Sequence, residues 1–226
     1  MSISLIIPVY NEVKEIDRCL DNVETLMPEP KVLFADGGST DLTREHIIAR
    51  GFKVISSTKG RSAQMNAAAA QADGDILWFS HSDSILPADG CREIEYGVNR
   101  GAVFGCFHIA FDYDGPFMNC CTALSNRRAI RGRIAFGDQG IFVQKELFFR
   151  IGGFPDLPLM EDYEFSRRMK RERIPLTVLP GTITTSGRRY RQQNPLLVMW
   201  QMYCLRSRYR HGGDLQEIAR QYRDIR

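Results

Sequence analysis

The first third of the chain alternates short apolar runs with segments whose apolar positions recur every three or four residues. Residues 3–7 form an apolar run of strand type, stopped by Pro8. Val13, Ile16, Cys19, Leu20, Val23 and Leu26 then follow helical spacing, which marks one buried helical face. Asn11 is placed to cap that helix, and Pro28 and Pro30 end it. Residues 31–35, 52–56 and 76–79 read as three further strands. Between them lie a helix at 42–50, closed by Gly51, and an Ala-rich helix at 62–72, stopped by Gly74. The order β-α-β-α-β-α-β predicts an α/β fold with a mostly parallel central sheet flanked by helices.

The second half is less regular. It predicts a helix at 89–99, a strand at 101–111, a helix at 117–131 and a short strand at 140–143. Helices follow at 145–151 and 161–171, then a strand region at 176–185 broken by Pro180-Gly181, and terminal helices at 196–211 and 215–222. The chain has no internal repeat. Its 226 residues are enough for one such domain and a short helical appendage.

Charge changes this picture at one end only. The net charge is +3, too small for general polyanion binding, and no nucleic-acid partner is expected. Residues 186–226, however, carry nine arginines against three acids. That fits an anionic partner such as a phosphate or a lipid headgroup, or equally a solvated helical surface. The helix at 196–211 reads either as a peripheral membrane contact or as a packing surface for the domain or a second copy. The six cysteines include no Cys-x-x-Cys pair, which argues against zinc and for free thiols in a reducing compartment. The first apolar run has no basic segment before it, and no run approaches the ~20 residues of a membrane span. The expected location is the cytoplasm, with or without peripheral membrane contact.

In parallel α/β sheets, ligands bind beyond the carboxyl ends of the strands. Three polar clusters fall there: residues 8–12, 36–41 and 80–84, each with an acid. Asp83 follows a buried strand, and a carboxylate there suits Mg²⁺ or Mn²⁺ shared with substrate phosphates; the alternative is a turn aspartate bonded to its own backbone. Asp36 precedes Gly37-Gly38, which permit close backbone approach, and it suits either a ligand or a tight turn. Arg61, at a helix start, suits a phosphate or a plain surface. Glu161-Asp162 opens a helix, where acids suit the macrodipole and where a carboxylate can also act as general base. Gly137-Asp138-Gln139 by itself is only a polar turn.

Taken together, Ile7-Pro8-Val9-Tyr10-Asn11-Glu12, Asp36-Gly37-Gly38-Ser39-Thr40-Asp41, Asp83 and Glu161-Asp162 resemble the family 2 glycosyltransferases, over roughly residues 3–190. Residues 60–66, 137–143, 152–155, 158–162 and 184–190 resemble a short, single-domain bacterial subgroup. The resemblance implies the GT-A fold, with a Rossmann-like nucleotide-binding half at 1–100, an acceptor-binding half at 101–190 and a helical extension at 191–226. It implies an inverting, metal-assisted sugar transfer from a UDP- or GDP-sugar to a hydroxyl acceptor, which is free or lipid-linked. Glu12, Asp36 and Arg61 would hold the nucleotide, with Pro8, Tyr10, Gly37 and Ser82 beside them. Asp83 would hold a divalent metal (Mg²⁺ or Mn²⁺), Asp162 would be the catalytic base with Glu161 next to it, and Gly137, Asp138 and Gln139 would line the sugar or acceptor pocket.

Two departures stand out. The family's metal motif has two aspartates around one residue, and here His81 takes the first place, as a second metal ligand or as a polar loop residue. Arg188-Arg189-Tyr190 stands where many relatives carry Gln-x-x-Arg-Trp, so processive synthesis is not implied. A nucleotidylyltransferase would need a basic, Gly-rich first loop, and residues 8–12 are acidic instead. A non-catalytic nucleotide-sugar binder or partner subunit is the remaining alternative, and a homodimer is compatible with either.

Overall fold

Strand β1 (Ile3–Val9) is buried along its whole length because both faces of its pleat are covered. Leu5, Ile7 and Val9 face one apolar layer, and Ile6 faces the other. The computed structural model describes residues 1–113, 115–187 and 194–225. The first layer packs α1 (Ile16–Glu24), α2 (Thr43–Ala49) and α4 (Gly90–Asn99) on the sheet. The second packs α3 (Arg61–Gln71), α6 (Lys145–Arg150) and α7 (Glu161–Arg171). Its centre is a knot of rings: Phe154 lies 4.9 Å from Phe79, 5.5 Å from Phe148 and 4.7 Å from Phe165.

The remaining strands are β2 (Lys31–Asp36), β3 (Lys53–Ser56), β4 (Ile76–Phe79), β5 (Ser84–Ile85), β6 (Phe104–Phe111), β7 (Phe142–Gln144) and β8 (Thr177–Thr185). The sheet runs β3-β2-β1-β4-β7-β6-β8-β5. It is parallel from β3 through β4, antiparallel on both sides of β7, parallel again between β6 and β8, and antiparallel at β5. Because β7 opposes β4, the single turn of 3₁₀ helix before it (Gly137–Gln139) lies at the carboxyl ends of β1, β2 and β4. The expected α/β sheet is present, with a mixed second half.

Local expectations were met unevenly. Asn11 is not a helix cap: it sits at φ 54°, and its side chain instead accepts the Thr40 N–H at 2.8 Å. Helix α1 begins only at Ile16. Pro180-Gly181 does not break β8 but forms a bulge, since Phe107 pairs with Leu179 and His108 with Thr182. The Gly181 N–H, displaced from the ladder, donates to Glu93 at 2.7 Å. Strand β5 is not among the expected strands, because two residues carry no periodic signal.

Helix α5 (Pro116–Arg127) leads into a π-helical turn (Arg128–Gly132). The C-terminal helices α8 (Pro195–Arg210) and α9 (Leu215–Ile225) form a third apolar cluster. There Val198, Leu205, Ile218 and Ala219 bury Leu159, with Met160 and Tyr222 packed alongside. Arg188-Arg189-Tyr190 lies outside the described residues.

Candidate active site

The loops after β1 and β2 are tied together by polar side chains rather than by apolar packing. Ser39 Oγ accepts the Asn11 N–H at 3.0 Å, Thr43 Oγ1 accepts the Glu12 N–H at 2.8 Å, and Asp41 accepts the Val13 N–H at 3.1 Å. Strand register sets Val9 beside Asp36. Asp36 is buried, accepts the Ser39 hydroxyl at 2.6 Å and lies 3.9 Å from the Arg44 guanidinium. Beneath it, the buried Gln64 amide donates to the carbonyls of Val9 and Ala35, each at 2.7 Å. Gln64 thus ties the two strand ends together, adding to the Gly37 N–H that the Val9 carbonyl also accepts at 3.0 Å. Lys59 Nζ stands 3.8 Å from the centre of the Tyr10 ring. Neither Lys59 nor the clamping role of Gln64 was legible in the sequence.

On the other side of β4, Phe79, Ser80, His81, Gly137, Glu161 and Asp162 line one small pocket with Met65 and Phe154. Asp162 Oδ2 accepts the Gly137 N–H at 2.6 Å, and Oδ1 accepts the Tyr163 N–H at 2.6 Å. A Cβ at residue 137 would lie 2.6 Å from His81 Nε2, so glycine is required for this approach. Met160, directly before the pair of acids, holds the left-handed conformation at φ 68°, uncommon for a side chain of its size.

Four sequence-predicted carboxylates, Asp83, Asp138, Glu161 and Asp162, share this pocket's electrostatics. Asp138 has one oxygen buried without a hydrogen-bond partner. Burial pushes it up to about 6, Arg128 opposes that, and Asp162 and Asp83 add to it. Glu161 is also raised, by burial first, against the pull of Arg61 at 3.5 Å. Arg61 is held above its ordinary value despite burial, by Glu161, Tyr222 and Asp162. Tyr222 of α9 hydrogen-bonds Arg61, so the C-terminal helices touch the site. On the far side of β4, burial pushes the Cys19 thiol up to about 12, with Asp83 and Glu12 adding to the shift.

Gln139 is fully buried: Oε1 accepts from Arg128 at 2.6 Å, and Nε2 donates to the Phe107 carbonyl at 3.3 Å. Arg128 also stacks on Phe136, its guanidinium carbon 3.6 Å from the ring centre. Sequence reading gave no signal for Arg128, because nothing in its surroundings distinguishes it from a surface arginine. Pro8 ends beside Ala35 in the register of β1 and β2, Gly37 abuts Gln64, and Ser82 is buried in the turn after β4.

Among the described residues no three acids, histidines or cysteines converge into a self-sufficient metal cage. An acidic rim with an orphaned Asp138 oxygen does fit a cation that takes few protein ligands and completes its shell from phosphate oxygens.

The family model for glycosyl transferase family 2 matches residues 4–151. The chain belongs to this family. Among curated relatives, it is 28% identical over 176 residues to glycosyltransferase AglE of Haloferax volcanii, across 68% of this chain and 56% of AglE. The chain therefore spans little more than half the length of that relative. The fold of S. aureus TarS 1–349, solved in complex with UDP-GlcNAc, matches with TM-score 0.67 at 18% identity, over 83% of this chain and 59% of that one. The mannosyltransferase PcManGT from Pyrobaculum calidifontis, solved with GDP-Man and Mn²⁺, matches with TM-score 0.66 at 17% identity, over 99% of this chain and 69% of that one. The fold is GT-A, and the coverage of PcManGT's match includes the C-terminal helices of this family member.

Proposed function

We propose that this chain is an inverting glycosyltransferase, moving a sugar from a nucleoside-diphosphate sugar to a hydroxyl acceptor with Asp162 as general base. The observation that carries the reading is the hydrogen bond from Gly137 to Asp162. It fixes one carboxylate in a pocket shared by the end of β4, the turn before β7 and the first turn of α7.

In this reading the nucleoside lies along the carboxyl ends of β1 and β2, against Pro8, Tyr10, Glu12, Asp36, Gly37 and Ser82. Arg61 meets the diphosphate, and Gly137 and Asp138 border the sugar, with Gln139 bracing their turn from behind. UDP- and GDP-sugars are the donors to test, since TarS and PcManGT are solved with ligands of these types. Asp83 would hold a divalent cation, with His81 as a second protein ligand. When bound there, the cation supplies positive charge that offsets the charge building on the departing diphosphate. Asp162 takes the acceptor hydroxyl proton as that oxygen attacks the anomeric carbon from the face opposite the diphosphate. The bond to the diphosphate breaks in the same displacement, so one base suffices where a hydrolase uses two carboxylates. Buried Glu161 holds Arg61 from below and keeps its charge near the site.

The test pairs titration of UDP- and GDP-sugars, with Mn²⁺ present, against an assay of transfer and slow donor hydrolysis. Asp162→Asn is expected to bind the nucleotide sugar as the natural chain does and to lose turnover. Unchanged turnover removes Asp162 from its role. Donor binding by the natural chain without hydrolysis or transfer identifies a non-catalytic nucleotide-sugar binder.

A further inference from the structure

Helix α8 is apolar on two faces, and the domain covers only one. Val198, Met202, Leu205 and Tyr209 point inward, into the cluster that buries Leu159 beside the Glu161-Asp162 turn. Leu196, Leu197, Trp200 and Tyr203 point outward, exposed by 65%, 50%, 62% and 51%. These four fall on adjacent turns of one face, and the Trp200 and Tyr203 rings stack at 5.9 Å. Single exposed apolar residues need no explanation, but a contiguous aromatic and leucine face does.

The stretch of sequence that carries this face is basic. Residues 186–211 carry six arginines (188, 189, 191, 206, 208 and 210) and no acid. Among the described ones, Arg206 lies over the Phe136 ring at 5.6 Å and Arg208 is paired with Glu217 of α9 at 2.7 Å, which leaves Arg210 exposed at the helix end. Tryptophan and tyrosine beside leucine, flanked by arginine, is the chemistry of a helix lying in a lipid headgroup region. A second copy fits less well. Two aromatic side chains at about 150–250 Å² each, with two leucines, stay below the roughly 800 Å² per partner of a stable dimer. Two such faces would also bring two arginine-rich segments together.

We propose that the outward face of α8 docks on a membrane surface bearing anionic lipid. This goes beyond the transfer reaction and uses none of its residues, so it stands or falls separately. Docking would set the α7 side of the cleft close to the bilayer, because α8 packs directly on the chain that precedes Glu161.

The experiment is co-sedimentation of the full chain with phosphatidylcholine vesicles, with and without phosphatidylglycerol. Tryptophan emission is followed in parallel. Trp78 is fully buried, so a blue shift on adding vesicles reports Trp200. Binding is expected only with phosphatidylglycerol, weakening as salt rises, with a blue shift. Leu197→Ser with Trp200→Ser is expected to weaken binding roughly tenfold or more, with unchanged far-ultraviolet circular dichroism and nucleotide binding. Arg210→Glu should weaken it without touching the apolar face. The proposal is overturned by absence of binding to phosphatidylglycerol vesicles or by undiminished binding of the double variant. A lipid-free blue shift that grows with protein concentration, with dimers in sedimentation velocity, overturns it in favour of self-association.

Discussion

Asp162 Oδ2 accepts the backbone N–H of Gly137 at 2.6 Å, across 25 residues of chain. This bond joins the first turn of α7 to the turn before β7, and His81 closes against the same glycine. The acid is therefore aimed by main chain, which cannot swing away as a side-chain partner can.

Gly137→Ala tests that arrangement. A methyl group there would lie 2.6 Å from His81 Nε2 and 3.3 Å from Asp162 Oδ2. Displacing either group by even an ångström is expected to lower turnover by roughly two orders of magnitude. Nucleotide affinity, measured by titration calorimetry, should change far less, because the strand ends that carry Tyr10 and Asp36 are braced separately.

Gln64→Leu tests that second brace. The substitution keeps the apolar packing of α3 but removes the buried amide donor shared by the Val9 and Ala35 carbonyls, Val9 retaining only the Gly37 N–H. A loss of about 2 kcal/mol or more is expected, read as a lower urea midpoint at unchanged slope. Nucleotide binding should fall with it, since β1 and β2 end at the proposed nucleoside site.

Arg61→Gln leaves Glu161 buried without its cation. The expected cost is about 2–4 kcal/mol near pH 8. Burial already raises Glu161, and loss of Arg61 raises it further. A carboxyl group raised in the fold is most favourable protonated, so the deficit should shrink as pH falls toward the acid range. Urea midpoints of variant and natural chain across that range check the sign.

Asp138 gives a second pH signature. Its folded value is pushed from 3.8 to about 6 by burial, with Arg128 opposing and Asp162 and Asp83 adding to it. The folded chain thus holds this proton where the unfolded chain has released it. Stability should fall as pH rises from about 4 to about 6 and stay level above, by about 1–3 kcal/mol. Asp138→Asn should flatten that slope, measured by thermal unfolding in chelator without nucleotide.

The fold class was legible because period and punctuation are local. The run at β1, the face of α1, the glycine stops and the acids opening α7 are all set by neighbours within a few residues. Strand β5 and the Pro180-Gly181 bulge were not legible, because their pairing partners lie far away in the chain.

For the site, sequence determined which residue types were present: acids beyond β1, β2 and β4, a glycine-acid turn and an acid pair at a helix start. Tertiary structure alone decided which of them meet. It set Gly137 against His81 and Asp162, brought Tyr222 from the last helix to Arg61, and gave Gln64 and Gln139 bracing tasks. It also turned four apolar side chains of α8 outward. These are relations between segments tens of residues apart, fixed by sheet order and by burial in the shared core, and no local pattern encodes them.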